Sequence, residues 1–533
     1  MSPKLTVTVG LRWEMDRPPV EKWNRFSFFD PNAPNPGAGG RLGALVFAGS
    51  GSGTFGDRHP EKTFHKGFAP RVGLAYALNP TTVVRTGYGI FYDMANMPGW
   101  DSGIGQDGFN TTATFSSTIG GLAPAFLLSD GLPQNFQRPP FLNPSFDNGQ
   151  GGPIYRPFDA NRLPYSQQWN LTVEHQFKNN FMISAGYVAN KGTRLLSREA
   201  GINTLDPKYL STGQKLFDLF QPGQTTLDGV PAPFPSFATT MQACSPYVAQ
   251  ALLPFPQYCS GLFGRNENAG NSTYHSFQLK LERRFSQGFW LLGSYTVSKL
   301  ITDADNNQAG AYGIGQEGVF SPFQRKLNKS LALEDIPQAV AFSLSYELPF
   351  GKGKRWLQTG GVLDQTVGGW TLSSIYKAQS GIPFHIISST CNIPGQFQVT
   401  CLPALLPGKS PFLQHSSINP NLPLLDVNAF ESPSSFNFYS GQGPRVDGFR
   451  QPGYTDHDVA LEKVIGLTER FGLHVRAEAF NIWNWHHLNG VGVPTGGLAS
   501  QAFNNDLASP DFGKWTQLVT NPRNIQVSAR LTF

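Results

Sequence analysis

The chain has 533 residues and a formal net charge of +5, and 14% of its residues are charged while 13% are aromatic. Disordered chains carry few aromatic residues and long helices tolerate neither 58 Gly nor 42 Pro, so both classes are excluded. No run approaches the about 18 apolar residues of a membrane-spanning helix, and the small charge excludes a dedicated nucleic-acid binder, which leaves a large β protein.

The first predicted element is a strand over about residues 4–14, where apolar and polar residues alternate with a period of two. Its apolar face carries Leu5, Val7, Val9, Leu11 and Trp13. The same alternation recurs along the chain and predicts about twelve strands in all. In chain order the others span residues 68–78, 82–92, 165–177, 180–190, 274–285, 288–298, 337–348, 369–379, 454–465, 468–482 and 523–533.

Short and long connections between these strands alternate strictly. The short connections lie at 79–81, 178–180, 286–288 and 466–467, with a longer turn at 349–368. The long connections are 15–67, 93–164, 191–273, 299–336, 380–453 and 483–522. Strands that all cross one slab produce this alternation, as in a transmembrane β-barrel with short periplasmic turns and long extracellular loops. A soluble β-sandwich or propeller is disfavoured, because connections this long are uncommon in compact soluble domains.

The two faces of each strand fit an antiparallel transmembrane β-barrel. Its apolar face meets lipid and its polar face meets the lumen. The candidate lumen-facing residues are Arg71, Arg85, Glu174, Lys280, Glu282, Arg476, Glu478 and Arg530. Aromatic residues at the strand ends suit the two membrane–water interfaces. Those near the short turns are Phe177, Phe181, Phe285, Phe289, Trp370, Phe471 and Phe533, and Trp13 and Tyr92 lie at the opposite ends.

A set of short segments recurs in order along the chain. They lie at 3–14, 68–73 (FAPRVG), 87–92 (GYGIFY), 164–170 (PYSQQWN), 187–193 (YVANKGT), 346–353 (YELPFGKG), 379–384 (QSGIPF), 476–481 (RAEAFN) and 531–533. Together they resemble TonB-dependent outer-membrane receptors of the Oar-like group. Each segment is weakly specific alone, and their order across essentially the whole chain makes the resemblance specific.

The resemblance implies a plugged barrel of about 22 strands that imports a large solute with energy from the TonB complex. Residues 1–533 contain no plug, no TonB-contacting segment and no secretory signal. We therefore expect the C-terminal part of such a receptor barrel, localised in the cell outer membrane. The TonB complex would act only through the missing N-terminal region. The other implied partners are outer-membrane lipid and lipopolysaccharide, the barrel-assembly machinery and an unknown solute, and no nucleic acid is expected.

The C-terminal strand is a candidate assembly signal. In the family that the chain resembles, a terminal aromatic residue on an alternating strand is recognised by the barrel-assembly machinery. The corresponding residues here are Val527, Ala529, Leu531 and Phe533. An unpaired strand edge offered for β-augmentation is the physical basis of such recognition.

The four cysteines form two close pairs in long loops, Cys244/Cys259 and Cys391/Cys401. No histidine lies near enough in sequence to complete a zinc site. Both pairs are candidate disulfides, worth roughly 2–3 kcal/mol each on the loop-closure model, and free thiols are the alternative.

Three further motifs are weak. The G-x-G-x-x-G run at 51–56 is not followed by a helical pattern, so a flexible loop is favoured over nucleotide binding. The acidic run at 303–307 lacks the glycine and the final glutamate of a calcium loop. Adjacent His486 and His487 point to opposite faces of an extended chain and favour a barrel-rim position over a metal site.

No catalytic constellation stands out, so we predict no enzyme, no cofactor and no metal. The leading hypothesis is a TonB-dependent transport barrel in which outer loops bind the solute. The alternative is a structural or adhesive outer-membrane barrel without import.

Overall fold

A computed structural model gives the structure of the chain in parts separated by gaps. The described residues are 4–58, 62–93, 105–110, 112–117, 120–136, 138–153, 162–197, 202–259, 262, 267–304, 323, 326, 329–332, 334–357, 361–384, 386, 388, 403, 405–414, 419, 421–431, 448–468, 470–487, 504–515 and 521–533. Within them, no helix combines the length and the apolar character needed to cross a bilayer.

The structure is built almost entirely from strands. These are β1 Leu5–Asp16, β2 Ser27–Asn35, β3 Arg41–Phe47, β4 Phe64–Asn79, β5 Thr82–Tyr92, β6 Tyr165–Gln176, β7 Phe181–Ser197, β8 Thr226–Leu227, β9 Val230–Pro231, β10 Glu267–Ser286, β11 Phe289–Thr302, β12 Ser330–Leu331, β13 Gln338–Glu347, β14 Trp370–Gln379, β15 Tyr454–Gly466, β16 Gly472–Phe480 and β17 Asn524–Thr532. The short α-helices are α1 Phe237–Thr240, α2 Val248–Ala251 and α3 Val362–Val367.

Twelve long strands form one antiparallel sheet, in the order β1-β4-β5-β6-β7-β10-β11-β13-β14-β15-β16-β17. The short β12 pairs with the loop-side end of β11. Every long strand pairs with its neighbour along the chain, and β1 and β17 form the two edges of the sheet. The predicted all-β antiparallel class, the number of long strands and the alternation of short and long connections are confirmed. One rim of the sheet carries the short turns, and the other carries the long loops.

The turn between β10 and β11 shows how the sequence fixes this register. Gln287 and Gly288 have positive φ angles of 55° and 73°. Two consecutive residues with positive φ make the two-residue turn whose twist matches that of the flanking strands. Ser286 is therefore placed opposite Phe289, and a register shift between Arg283 and Ser286 then brings the apolar residues of the two strands onto the same face.

Several strands extend farther at the loop rim than the sequence predicts. β7 continues to Ser197 and β10 begins at Glu267, whereas apolar alternation covers only 180–190 and 274–285. The added residues are mostly Gly, Asn, Ser and Thr, which carry no apolar period. Backbone pairing between the two strands holds them extended, with register shifts around Gly270.

Both faces of the sheet are open, and most of the buried apolar residues lie in the loops. Val9 and Val527, on the apolar face of the edge strands, are each 74% exposed. By contrast, the four buried hydrophobic clusters consist of loop residues. An apolar sheet face without a protein partner is what lipid contact requires.

The loops of the described chain form two packed units. The first loop layer consists of the β2–β3 hairpin, residues 138–153 and residues 202–259, together with Leu262. The second loop layer consists of the described residues between 382 and 431, residues 448–451 and residues 504–515. Each layer brings together segments from connections that are far apart in sequence.

Candidate functional site

The register of the sheet places all eight candidate lumen residues on one face. Arg85 on β5 is opposite Thr172 on β6, which lies two positions from Glu174 on the same strand. Glu174 is opposite Ser184 on β7, and Ser184 is in turn opposite Lys280 on β10. From β11 to β17, the residue pairs between neighbouring strands continue on this face, and they place Arg476, Glu478 and Arg530 on it as well. Whether this charged face lines a lumen stays a prediction.

Opposite charges pair along this face. Arg85 Nε lies 3.1 Å from Glu174 Oε2, Lys280 Nζ lies 3.0 Å from Glu282 Oε2, and Arg476 Nη2 lies 2.6 Å from Glu478 Oε1. The cationic partners are about half exposed, so these pairs add little to stability. Their effect is to present a polar surface with both signs of charge.

The charged face includes three further interactions. The Arg71 guanidinium lies 4.5 Å from the centre of the Phe91 ring. Glu462, which sequence analysis missed, lies 3.7 Å from Arg476 Nη1 and 3.3 Å from His474 Nδ1. Glu462 belongs to the same alternation as Asp458 and Ala460 on β15, so the pattern was sufficient to find it.

A cavity opens on this face near the loop rim. It encloses about 380 Å³ and has lining residues of both charges together with aromatic rings. These residues are Arg12, Glu14, Met15, Asp16, Arg71, Phe91, Tyr92, Asp93 and Leu163. Arg12 and Glu14 pair with each other at 2.6 Å. A polar solute with apolar parts could make both ion-dipole and ring contacts here.

The first loop layer is organised around Tyr258, which is fully buried. Its hydroxyl donates to Gly43 O at 3.2 Å and accepts from Asn35 Nδ2 at 3.2 Å. Its ring meets Phe29 edge to face, with centroids 5.7 Å apart. Burial raises the pKa of Tyr258, so the hydroxyl stays neutral. These contacts join the loop after β1 to the loop after β7.

The two sequence-proposed cysteine pairs have different outcomes. Cys244 and Cys259 are joined by a disulfide, with their Cα atoms 5.5 Å apart. The Cys259 amide also donates to Gln150 O at 2.8 Å, so the bridge lies where this loop meets residues 138–153. Cys391 and Cys401 lie outside the described residues, and their pairing stays a prediction.

Asp147 is a buried carboxyl in the first loop layer. Its side chain is 7% exposed, and its Oδ2 atom has no hydrogen-bond partner in the described part of the chain. Burial, followed by repulsion from Asp107, raises the pKa of Asp147 to about 7. In the folded layer the protonated form of Asp147 is therefore favoured below about pH 7.

We expect the first loop layer to lose stability as the pH rises through about 7. A carboxyl whose folded pKa is raised stabilises the fold at low pH, because the folded state binds the proton more tightly than the unfolded state. The expected loss between about pH 5 and about pH 8 is about 2–3 kcal/mol. Hydrogen exchange of the Cys259 amide at the two pH values measures it. Asp147→Asn should remove most of the difference, and an unchanged pH dependence in that variant would contradict the assignment.

The second loop layer has its own apolar core. The buried members are Phe384, Ile386, Leu424, Leu425, Ala429, Phe430 and Phe512. Rings from different segments meet edge to face, as in Phe430 and Phe512, whose centroids are 5.9 Å apart. The layer is connected to the loop after β11 through Arg450, whose Nη2 lies 2.5 Å from Asp335 Oδ2.

The remaining sequence motifs make ordinary loop contacts. Thr54, in the glycine-rich run, donates to Gly51 O in a turn, and no helix follows within the described residues. Asp303 accepts from Asn271 N, and the rest of the acidic run from residue 305 lies outside the described residues. His487 interacts with Thr455 on β15, as expected of a rim residue. No group of three or more potential metal ligands occurs in the part of the chain that the structure describes.

The proposed assembly strand is β17 at the sheet edge. Its apolar residues pair in register with β16, with Val527 opposite Ala477 and Leu531 opposite Leu473. Phe533 follows the strand and is 94% exposed. The geometry leaves one edge of β17 and the terminal ring accessible, and their recognition stays a prediction.

Comparison with known proteins gives one family match. Residues 1–526 match the family model described as an outer membrane beta barrel domain. Similar solved structures include the outer-membrane ferripyoverdine receptor of Pseudomonas aeruginosa, with 9% identity, a TM-score of 0.34, and coverage of 92% of this chain and 35% of that one. They also include the outer membrane transporter YddB from Escherichia coli, with 10% identity, a TM-score of 0.37, and coverage of 92% and 42%.

The copper transporter OprC has 8% identity and a TM-score of 0.37, with coverage of 100% of this chain and 45% of that one. The chain therefore spans less than half the length of these three structures. No curated protein matches the chain.

Proposed function

Because the chain belongs to the family of outer membrane beta barrel domains, we propose that it forms part of the wall and the solute-binding loops of a TonB-dependent receptor of the Oar-like group. It is an outer-membrane β-barrel protein and not an enzyme.

The observation that carries the proposal is a charged sheet face that ends at a rim of packed loops. Loops with their own buried cores hold a binding surface in one shape, which lowers the entropic cost of capturing a solute. The cavity beside Arg12 and Arg71 lies where the charged face meets that rim. A solute bound by the loops would next contact the ion pairs of the face.

A comparison of solute depletion tests this function without naming the solute in advance. Cells with and without the gene are grown in a defined mixture of metal chelates, oligosaccharides and peptides, with the TonB complex active or inactivated. We expect at least one component to be depleted only when both the gene and the TonB complex are present. Substituting Arg85 and Glu174 together by Ala should slow this depletion, because the pair lies on the proposed path.

The alternative, an adhesive barrel, predicts a different result in the same cells. Depletion would be equal with and without the gene, and attachment to a solid surface would fall when the gene is removed. That result would overturn the transport proposal and leave the outer-membrane fold unaffected.

We also propose that the terminal ring is part of an assembly signal. Deleting Phe533 should slow assembly into the outer membrane of cells, while refolding of the purified protein in detergent stays nearly unchanged. The physical reason is that Phe533 is exposed and makes little of the folded contact surface, whereas an open strand edge with alternating side chains suits β-augmentation. Surface labelling in cells and refolding yield in detergent measure the two rates. Equal losses in both would show a structural anchor instead.

A further inference from the structure

The cavity on the charged face separates its positive and negative groups along one direction. Arg71 lies opposite Gly89 on β5. On the same face of β5, Phe91 follows Gly89 by two positions and Asp93 by four, and both line the cavity with Arg71. Asp16, at the end of β1, adds a second carboxylate on the loop side. The cavity therefore has a positive pole toward the sheet, a ring in the middle and a negative pole toward the loops.

Arg71 has no carboxylate partner in the described part of the chain. Its guanidinium lies over the Phe91 ring, 4.5 Å from the ring centre, and none of the ion pairs there includes it. By contrast, Arg12, the other cation of the lining, pairs with Glu14, and Arg85 on the same face also pairs with a glutamate. A guanidinium stacked on a ring keeps its planar fork of N–H donors for a ligand carboxylate.

The lining is held in place by its surroundings. A Cβ atom at Gly89 would lie 3.0 Å from Cε2 of Phe91, so the glycine leaves room for the ring to lie against the strand. At the negative pole, the Asp93 amide donates to Pro164 O at 2.9 Å, and the adjacent Leu163 is 3% exposed. A site whose parts are fixed in advance loses little conformational freedom when a solute binds.

The distance between the two poles sets the length of the solute. The four positions from Gly89 to Asp93 correspond to about 13 Å of extended chain. The Arg71 side chain covers part of this distance, because its guanidinium reaches the Phe91 ring. An extended peptide of three residues spans about 10 Å, whereas a single amino acid spans only about 3.5 Å. The cavity volume of about 380 Å³ lies at the lower end of the range of small-molecule sites, which also favours a short solute.

We propose that this cavity binds a short zwitterionic peptide, an inference that rests on the proposed import function and names its class of solute. Arg71 holds the terminal carboxylate, Asp16 and Asp93 hold the terminal ammonium group, and an apolar side chain between them contacts Phe91. Dicarboxylates, diamines and acidic sugars each lack one of the two charges, and neutral sugars lack both. Complementarity to both signs of charge, at a separation that one amino acid cannot span, therefore points to a peptide with free ends.

The test is a calorimetric titration of the purified full chain in uncharged detergent. The probes are the tripeptide alanyl-phenylalanyl-alanine, the same peptide with a C-terminal amide, and the same peptide with an acetylated N-terminus. We expect the free peptide to bind at least about tenfold more tightly than either blocked peptide, because each block removes one charged hydrogen-bonding end.

The variants assign each end of the peptide to its pole. Arg71→Gln should abolish the preference for the free peptide over the amide and keep the preference over the acetylated peptide. Asp16→Asn combined with Asp93→Asn should do the reverse. The matched control, Lys299→Gln, removes a cation near the same rim from the opposite face of the sheet and should bind all three peptides as the natural chain does.

The opposite results overturn the proposal. They are equal binding of free and blocked peptides by the natural chain, no binding of any peptide, or a preference for the free carboxylate that survives in Arg71→Gln. A variant that fails to fold would lose both preferences together, so the expected loss of one alone separates a lost contact from a lost fold. Depletion of another solute by cells, without peptide binding here, would refute the peptide and leave import standing. Peptide binding without depletion of any solute would refute import and leave the site standing.

Discussion

Arg450→Ala is expected to destabilise the second loop layer by about 3–5 kcal/mol. The Asp335 side chain is 1% exposed, and its carboxylate accepts from Arg450 Nη2 at 2.5 Å and from Leu300 N at 2.5 Å. Arg450 Nη1 also donates to the Asp335 carbonyl at 2.8 Å and to the Gly381 carbonyl at 3.2 Å. Removing the guanidinium leaves the buried Asp335 carboxylate with a single backbone donor. The resulting loss of stability is far larger than the net stabilisation that the ion pair provides, because the remaining charge is buried without a partner of opposite sign.

Hydrogen exchange of the Phe384 and Leu300 amides measures this change on the two sides of the contact. The control is Lys514→Ala, which breaks an exposed pair with Asp511 at 2.7 Å and should cost at most about 1 kcal/mol. Adding Asp335→Asn to Arg450→Ala should recover part of the loss, because the unpaired charge is then gone. If Arg450→Ala lowers the stability no more than Lys514→Ala does, Arg450 does not stabilise the buried carboxylate of Asp335.

Leu279→Arg should destabilise the folded barrel in a membrane by about 2–4 kcal/mol, and Leu344→Arg should destabilise it less because Leu344 lies nearer the turn-side interface. Both leucines lie on the apolar face, Leu279 in the middle part of β10 and Leu344 opposite Leu291, two positions from the turn-side start of β11. A guanidinium at this depth must leave water or thin the bilayer around it, and either change costs free energy. Their neighbours Gln278 and Ser343 lie on the charged face, so Gln278→Arg and Ser343→Arg should be mild.

Denaturant unfolding from lipid vesicles measures the free energy of unfolding of the four variants. The two variants of each pair lie at nearly the same depth in the membrane. The matched pairs differ by one position in sequence and by the face of the sheet, so strand propensity and depth are nearly constant within each pair. Equal destabilisation within both pairs would contradict the face assignment. A reversed order would mean that the charged face contacts lipid.

Sequence alone predicted the strands of this protein well, because a strand between lipid and water must alternate at every position. From Leu5 to Trp13 and from Ile525 to Phe533, apolar and polar residues alternate without a break. The charged residues of the sheet followed from the same period, since Glu174 and Lys280 lie between apolar neighbours. The loop-side ends of β7 and β10 lacked that signal, since backbone pairing rather than side-chain burial keeps them extended.

The loop layers could not be predicted in this way. Asn35 and Tyr258 are 223 residues apart and meet through one hydrogen bond inside a buried cluster. Arg450 and Asp335 are 115 residues apart and lie in different loops. Such contacts depend on which loops the order of strands in the sheet brings side by side, and no local period encodes them. The side of the sheet on which the charged strand residues lie therefore followed from a local pattern, whereas the contacts between distant loops did not.

The alternation of faces along β10 tests the central claim most directly. Single cysteines placed in turn at positions 277 to 282, in a chain without its four native cysteines, can be labelled with a fluorophore in lipid vesicles. We expect labels at Phe277, Leu279 and Leu281 to be quenched by brominated lipid, and labels at Gln278, Lys280 and Glu282 to be quenched by aqueous iodide. Quenching without a period of two, or with the two sets exchanged, would contradict the account of an outer-membrane barrel with a charged inner face.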